Sequence, residues 1–151
     1  MIVDCAPATK ADIPAMQVLL AELFAQEEEF SPDEKKQRRA LELILKDPTR
    51  GRLYVARDGK DVVGMASLLY TVSTAEGGKA AWLEDLVVVP EHRGRGVGHA
   101  LLEYVIEQAR AEGILRITLL TDADNTGAQA LYRSVGFEVS PMRALRLRFG
   151  G

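Results

Sequence analysis

Between Leu86 and Gly98 the chain changes character three times in a few residues. Leu86-Val87-Val88-Val89 is apolar and rich in β-branched side chains, and Pro90 ends it. Glu91-His92-Arg93-Gly94-Arg95-Gly96-Val97-Gly98 follows, basic and with alternate glycines. From Val97 to Glu112 the spacing predicts a helix, with Leu101, Tyr104, Val105 and Ala109 on one face. Gly113 ends it, and Ile114 to Leu120 reads as a strand. Strand, crossover helix and strand imply a parallel pair. Few folds accept such a unit without a covered sheet around it.

The remaining segments supply that sheet. Ile2 to Ala6 predicts a short strand. Ile13, Met16, Leu19, Leu20, Leu23 and Phe24 recur at helical spacing, with Asp12 as the expected N-cap, Pro14 in the first turn and Gln26-Glu27-Glu28-Glu29 at the end. Ser31-Pro32-Asp33-Glu34 signals a second helix start, continued by Ala40, Leu41, Ile44 and Leu45 and stopped at Asp47-Pro48. Arg52 to Arg57, Asp61 to Val72 and Lys79 to Val89 read as strands, joined at Asp58-Gly59 and Glu76-Gly77-Gly78. Asn125 to Val135 reads as a short helix ended by Gly136, and Phe137 to Phe149 as β again. The expected class is α/β, a mixed sheet with helices on both faces, in the order β-α-α-β-β-β-α-β-α-β. At 151 residues it is expected to be one domain over 1–151.

Composition narrows the functions. A formal net charge of −3 is not the basic excess of a nucleic-acid binder. No run approaches the roughly 18 apolar residues of a membrane span. Met1-Ile2-Val3-Asp4 carries an acid where a secretory leader carries basic residues. Cys5 is the only cysteine, so no disulfide framework forms; a cytoplasmic location is expected, with Cys5 a small core residue. His92 and His99 make no metal set with it, and no metal is expected; His92 is expected at the surface.

The glycine loop is the segment with chemistry. Glycines let backbone approach a ligand, and the first amides of a helix have no internal acceptors and attract anions. Arg93 and Arg95 add positive charge. Two familiar phosphate loops fit poorly. A Walker loop needs Gly-Lys-Ser/Thr where Gly98-His99-Ala100 stands, and a dinucleotide fingerprint needs its third glycine at His99.

Arg93, two residues, Gly96, one residue and Gly98 resemble the coenzyme A signature of the GNAT N-acetyltransferase superfamily. Asn125, two residues, Ala128, two residues, Leu131-Tyr132, three residues and Gly136-Phe137 resemble that family's other motif, at the right separation. The resemblance implies acetyl-CoA as cosubstrate. It implies cofactor contacts at Leu86, Val87, Val88, Arg93, Gly94, Arg95, Gly96, Val97, Gly98, His99, Asn125, Ala128 and Tyr132. It sets the Tyr132 hydroxyl beside the thioester sulfur, and leaves room for Tyr132 to be a core aromatic and Asn125 a helix N-cap. Trp82-Leu83-Glu84-Asp85-Leu86 is similar to the diamine and polyamine branch, which favours Glu84 as the base for the amine; a surface carboxylate is the alternative. Glu84 and Asp85, being adjacent, are expected on opposite faces of their strand. Amides of Leu86 to Val88 would polarise the thioester carbonyl, which requires a bulge. The Glu27-Glu28-Glu29 run would border the acceptor groove or be a solvated helix end.

The function implied is acetyl transfer from acetyl-CoA to a primary amine, on a small molecule or a peptide, by direct attack. A non-catalytic CoA-binding sensor on the same fold and a nucleotide-binding regulator are the competing readings. Dimers are common in families resembling this one, so the expectation includes a homodimer. Neither nucleic acid nor membrane is an expected partner.

Overall fold

The computed structural model describes residues 2–26 and 31–150. Tight turns join the middle strands, and such turns make antiparallel neighbours. β2 (Gly51–Asp58) turns at Gly59 into β3 (Asp61–Ser73), which turns near Gly77 into β4 (Gly78–Val88). β1 (Asp4–Pro7) pairs antiparallel with the outer side of β2. β5 (Ile117–Leu119) pairs parallel with β4, after the crossover through α3 (Val97–Ala111). The sheet order is β1-β2-β3-β4-β5, a mixed five-stranded sheet.

Helices cover both faces. α1 (Ile13–Gln26) and α2 (Glu34–Lys46) bury Ile13, Met16, Leu19, Leu20 and Leu41 against Leu53, Val55, Met65 and Val87. On the other face α3 buries Val97, Leu101, Leu102, Val105 and Ala109 against Tyr54, Ala56, Ala66, Leu68, Ala81 and Leu83. α4 (Thr126–Ser134) packs at the margin of that second core through Leu131 and Tyr132, with Val135 and Phe137 after it. Cys5 packs there too, half-buried.

The local signals mostly hold. Asp33 caps α2, its carboxylate accepting from Lys36 N at 3.2 Å. Asn125 caps α4, its Oδ1 accepting from Ala128 N at 3.1 Å. Asp12 is a correction, because it does not cap α1. It closes a 3-10 turn at Lys10–Asp12, where its carboxylate accepts from Thr9 N at 2.8 Å and from Arg57 Nη2 at 2.8 Å. β5 is shorter than the expected 114–120, because parallel pairing to β4 covers only Ala81–Ile117, Trp82–Thr118 and Leu83–Leu119.

The expected last strand is also a correction. Residues 138–150 form no strand, and every one of them is exposed. A β pattern makes a strand only where an edge receives it, and among the described residues none does. Glu27 to Glu29 lie outside the described residues.

Asp12 is the buried charge on which the entry to α1 depends. Burial works to raise its pKa, but hydrogen bonds from Arg57 and Thr9 outweigh it and hold the carboxyl below its ordinary 3.8. A depressed carboxylate stabilises the fold above its unfolded value, and that contribution is lost as pH falls through the lower folded one. Asp12→Asn should therefore cost about 2 kcal/mol at pH 7, the scale of hydrogen bonds to a buried charge. In urea titrations the gap to the natural chain should close as pH falls below the ordinary 3.8.

Candidate active site

The site begins where the sheet comes apart. β4 and β5 pair over three positions, and β4 then runs on to Val88 with no strand paired on that side. The reason lies in β4. Leu86 pairs with Ala66 but Leu83 with Leu68, so two residues, Glu84 and Asp85, stand opposite the one residue Ser67. This is a β-bulge, which bends a strand and increases its twist. The buried Ser67 hydroxyl fills the gap in the ladder: its Oγ accepts from Asp85 N at 3.1 Å and donates to Asp85 Oδ2 at 3.0 Å.

The bulge overturns the expected alternation at Glu84 and Asp85. Leu83 and Leu86 both pack toward α3 although three residues apart. Ser67 lies between Ala66 and Leu68, which face α3, so Ser67 and the Asp85 carboxylate it holds face α1 and α2. The one-residue slip brings Glu84 to that same side, since it follows Leu83 directly. Glu84 is exposed, with no ion pair or hydrogen bond among the described residues.

Past Val88 the chain makes a 3-10 turn at Pro90–His92 and then the glycine loop. Gly96 is the N-cap of α3 at φ 83°, a conformation that side-chain-bearing residues rarely adopt. The first main-chain bond of α3 runs from Ala100 N to Gly96 O at 3.0 Å. The amides of Val97, Gly98 and His99 therefore have no helical acceptor, and the positive end of the helix faces the loop. At Gly98 a Cβ would sit in ordinary van der Waals contact with Leu131 Cδ2 at 3.4 Å and Val88 Cγ2 at 3.8 Å. The end of β4, the start of α3 and the middle of α4 thus converge on one residue with no side chain.

The basic residues divide. Arg93 Nε donates to Val88 O at 3.1 Å, and Nη2 lies 3.9 Å from Glu22 Oε1, so Arg93 ties the loop to β4 and α1. Arg95 is exposed, with no such partner among the described residues. His92 is a correction: it is half-buried. The 3-10 turn folds it onto the β2–β3 hairpin, with Nε2 3.1 Å from Asp58 Oδ2 and Nδ1 buried without a partner. His99 lies 3.6 Å from Glu103 on its own helix.

Tyr132 sits one residue beyond Leu131 on α4, half-buried, its ring edge-on to Phe137 at 5.8 Å. Its hydroxyl makes no hydrogen bond among the described residues. Burial pushes the phenol above its ordinary 10.0, so it holds its proton throughout the neutral range. Ala128 is half-buried on the same helix. The strand end Leu86 to Val88, the loop from Arg93 to His99 and α4 with Tyr132 are therefore adjacent, while Glu84 stands before them at the bulge. Ser67, Glu22 and Asp58 were not singled out in the sequence. Among the described residues, no three of histidine, cysteine, aspartate and glutamate gather closely enough to hold a metal ion.

The site is thus a mixed sheet splayed at a parallel pair, with a glycine-capped helix start in the opening. The model of the acetyltransferase (GNAT) family matches residues 16–137, and the chain belongs to that family. The chain spans less than half the length of the rat N-acetyltransferases it matches. N-acetyltransferase 8F1 of Rattus norvegicus is 34% identical over 97 residues, covering 64% of this chain and 44% of that protein. Among solved structures, an integron cassette protein from the mobile metagenome of Cole Harbour Salt Marsh superposes with TM-score 0.85 at 26% identity, over 97% of this chain and 91% of that one. A transcriptional regulator from Bacillus halodurans C-125 superposes with TM-score 0.81 at 27% identity, over 98% and 100%. No helix of the described residues is long and apolar enough to cross a membrane.

The bulge gives this subsection its prediction. Ser67→Ala removes the acceptor that the part-buried Asp85 amide uses and should cost about 1 kcal/mol, the net worth of such a hydrogen bond. Ser67→Thr keeps the hydroxyl and should recover part of that. Chemical denaturation of the three chains checks both; equal midpoints for Ser67→Ala and the natural chain would mean the hydroxyl does not support the bulge.

Proposed function

We propose that the chain is an N-acetyltransferase that moves an acetyl group from acetyl-CoA to a primary amine by direct attack. The observation that carries this is the convergence of Val88, Gly98 and Leu131 at the open side of β4. The residues suit a pantetheine-pyrophosphate cosubstrate. Loop and helix amides from Gly94 to His99, with Arg95 beside them, suit two adjoining phosphates. The unpaired side of β4 from Leu86 to Val88 suits an extended amide-bearing arm. Asn125 and Ala128 border it on α4. When bound, the cosubstrate supplies a thioester, an acyl group activated for attack.

The chain's own groups then divide the protons. Glu84 takes the proton that the attacking amine must lose, directly or through one water. Backbone amides at Leu86 to Val88 stabilise the negative charge that develops on the carbonyl oxygen. Tyr132 gives its proton to the departing thiolate as the carbon–sulfur bond breaks. Burial keeps the phenol protonated but also makes it a weaker donor, so transfer is uphill by more than the roughly 2 kcal/mol between a free phenol near 10 and a thiolate near 8.5, and positioning in the transition state has to supply the difference.

We read residues 1–151 as one catalytic domain of a cytoplasmic enzyme whose acceptor is a small molecule or a peptide amine. A second reading is a sensor that binds CoA without turnover. The resemblance to a structure described as a transcriptional regulator favours it. A screen of amines with acetyl-CoA, followed by release of free thiol, separates the two. Turnover with any amine establishes the enzyme, whereas tight CoA binding with none throughout a broad library supports the sensor.

Three substitutions test the roles. Gly96→Asp forces a side chain onto a left-handed backbone and adds negative charge at the loop, so CoA affinity should fall by at least ~2 kcal/mol in calorimetric titration. Tyr132→Phe should lower turnover by ~100-fold or more with CoA affinity nearly unchanged. Glu84→Gln should slow the reaction most at neutral pH and recover partly at high pH, where the amine is already deprotonated. A ratio of natural to variant rates that stays flat from about pH 6.5 to 9.5 would remove Glu84 from the chemistry.

A further inference from the structure

The glycine loop is held by more than its own residues. It enters α3 through Gly94 and Gly96, both at positive φ, 75° and 83°. Glycine lets the backbone take these turns, and it also loses the most conformational freedom when the loop is ordered. A loop of this kind binds tightly only if something orders it beforehand. The main chain does part of this. Val89 N donates to Val63 O at 2.8 Å, and His92 N donates to Val89 O at 3.0 Å. Among the described residues, the side chains that tie the loop down are those of His92 and Arg93.

Arg93 is the more open tie. Its Nε bond goes to Val88 O, in the strand the loop has just left. Its Nη2 lies 3.9 Å from Glu22 Oε1, with side chains 43% and 44% exposed, and an ion pair that wet is worth little. His92 is different. Its side chain is 19% exposed, and Nε2 lies 3.1 Å from Asp58 Oδ2. A carboxylate only accepts, so Nε2 carries the hydrogen and donates. Nδ1 is buried without a partner among the described residues. An unpaired buried nitrogen is unfavourable, and an apolar side chain would fill the same space without one. Packing therefore does not account for an imidazole here; the bond from Nε2 does. Asp58 ends β2, and β3 lies between β2 and β4, so this bond reaches across β3. It anchors the loop to the β2–β3 hairpin rather than to its own strand.

We propose that His92 is a positioning residue for cosubstrate binding: through its bond to Asp58 it holds residues 93–98 in the form that receives CoA, and the tip of the β2–β3 hairpin thereby sets the affinity. The proposal rests on the reading of this loop as the CoA site. His92 need not touch the phosphates. It acts through Arg93 and Gly94, the two residues that follow it, by fixing where the loop starts. With the bond gone, Arg93 and the two left-handed glycines explore other conformations, and binding has to order them again. Affinity falls, and the loop moves before any ligand arrives.

Amide relaxation by NMR and calorimetric titration with CoA, both on the full chain, test this together. Without ligand, the amides of 94–98 should show order parameters of about 0.85 in the natural chain. His92→Leu keeps the bulk and loses Nε2. It should lower those values below about 0.6 and weaken CoA binding about 10-fold. His92→Gln places an amide nitrogen near the position of Nε2 and should restore most of both, which a packing role would not allow. Asp58→Asn keeps the turn chemistry and a neutral acceptor, and should weaken binding about 3-fold. Added to His92→Leu, it should cause no further loss. Unchanged order and affinity in a folded His92→Leu chain would overturn the proposal. So would His92→Gln as weak as His92→Leu, losses at Asp58 and His92 that add, or a loop already mobile in the natural chain. Should His92→Leu not fold, natural affinity in Asp58→Asn would overturn it alone. A natural chain that binds no CoA would instead remove the reading of the loop, and the proposal with it.

Discussion

The site rests on one imbalance in the sheet, two residues of β4 set against one of β3. Ser67 accommodates it by standing in, through its hydroxyl, for a main-chain carbonyl that the slipped ladder cannot offer Asp85. Pairing to β5 ends two residues earlier, at Leu83. From there β4 is held on one side only, by β3, and by Arg93 reaching back to the Val88 carbonyl. A regular β4 would offer the opening between β4 and β5 no free length of backbone. The bulge, the short parallel pair and the glycine-capped α3 are therefore one device.

The two cores serve this device differently. α1 and α2 cover the face to which Asp85 turns, and Val87 is the β4 residue they bury. α3 covers the other face and is pinned at its start by Val97 and Leu101, both almost fully buried. Its N-terminus is thereby fixed relative to the end of β4. That fixity holds the amides of Val97, Gly98 and His99, which have no helical acceptor, in a set place beside the strand end. α4 has no fully buried residue and depends on marginal contacts through Leu131, Tyr132, Val135 and Phe137.

Much of this was legible in the residues. The crossover 83–120, the hairpin turn at Asp58-Gly59 and the caps at Asp33 and Asn125 rest on local chemistry and appear in the structure as read. Failures occur where a distant partner decides. Asp12 looks like a helix cap until Arg57, far along the chain, pairs with it. His92 looks like a loop residue until Asp58 meets it. Phe137 to Phe149 has a strand's pattern, and no local signal says whether an edge receives it. Ser67 was overlooked although it is a polar residue inside the apolar run of β3, which is itself a signal. The bulge it supports depends on which strands pair, and so could not be read from β4 alone.

The bulge also sets the phase of everything that follows it. Ala81 and Leu83 face α3 in one parity of the strand, Leu86 and Val88 in the other. Were Glu84 and Asp85 instead to alternate in a regular ladder, Leu86 and Val88 would turn toward α1 and α2 and Val87 to the opposite face. The glycine loop would then enter rotated by half a turn of the strand, and Gly98 would no longer meet Val88 and Leu131. Deleting one of the two residues would restore a regular ladder and leave those faces as they are. The extra residue is therefore what lets three steps of chain, from Leu83 to Leu86, return to the same side of the sheet.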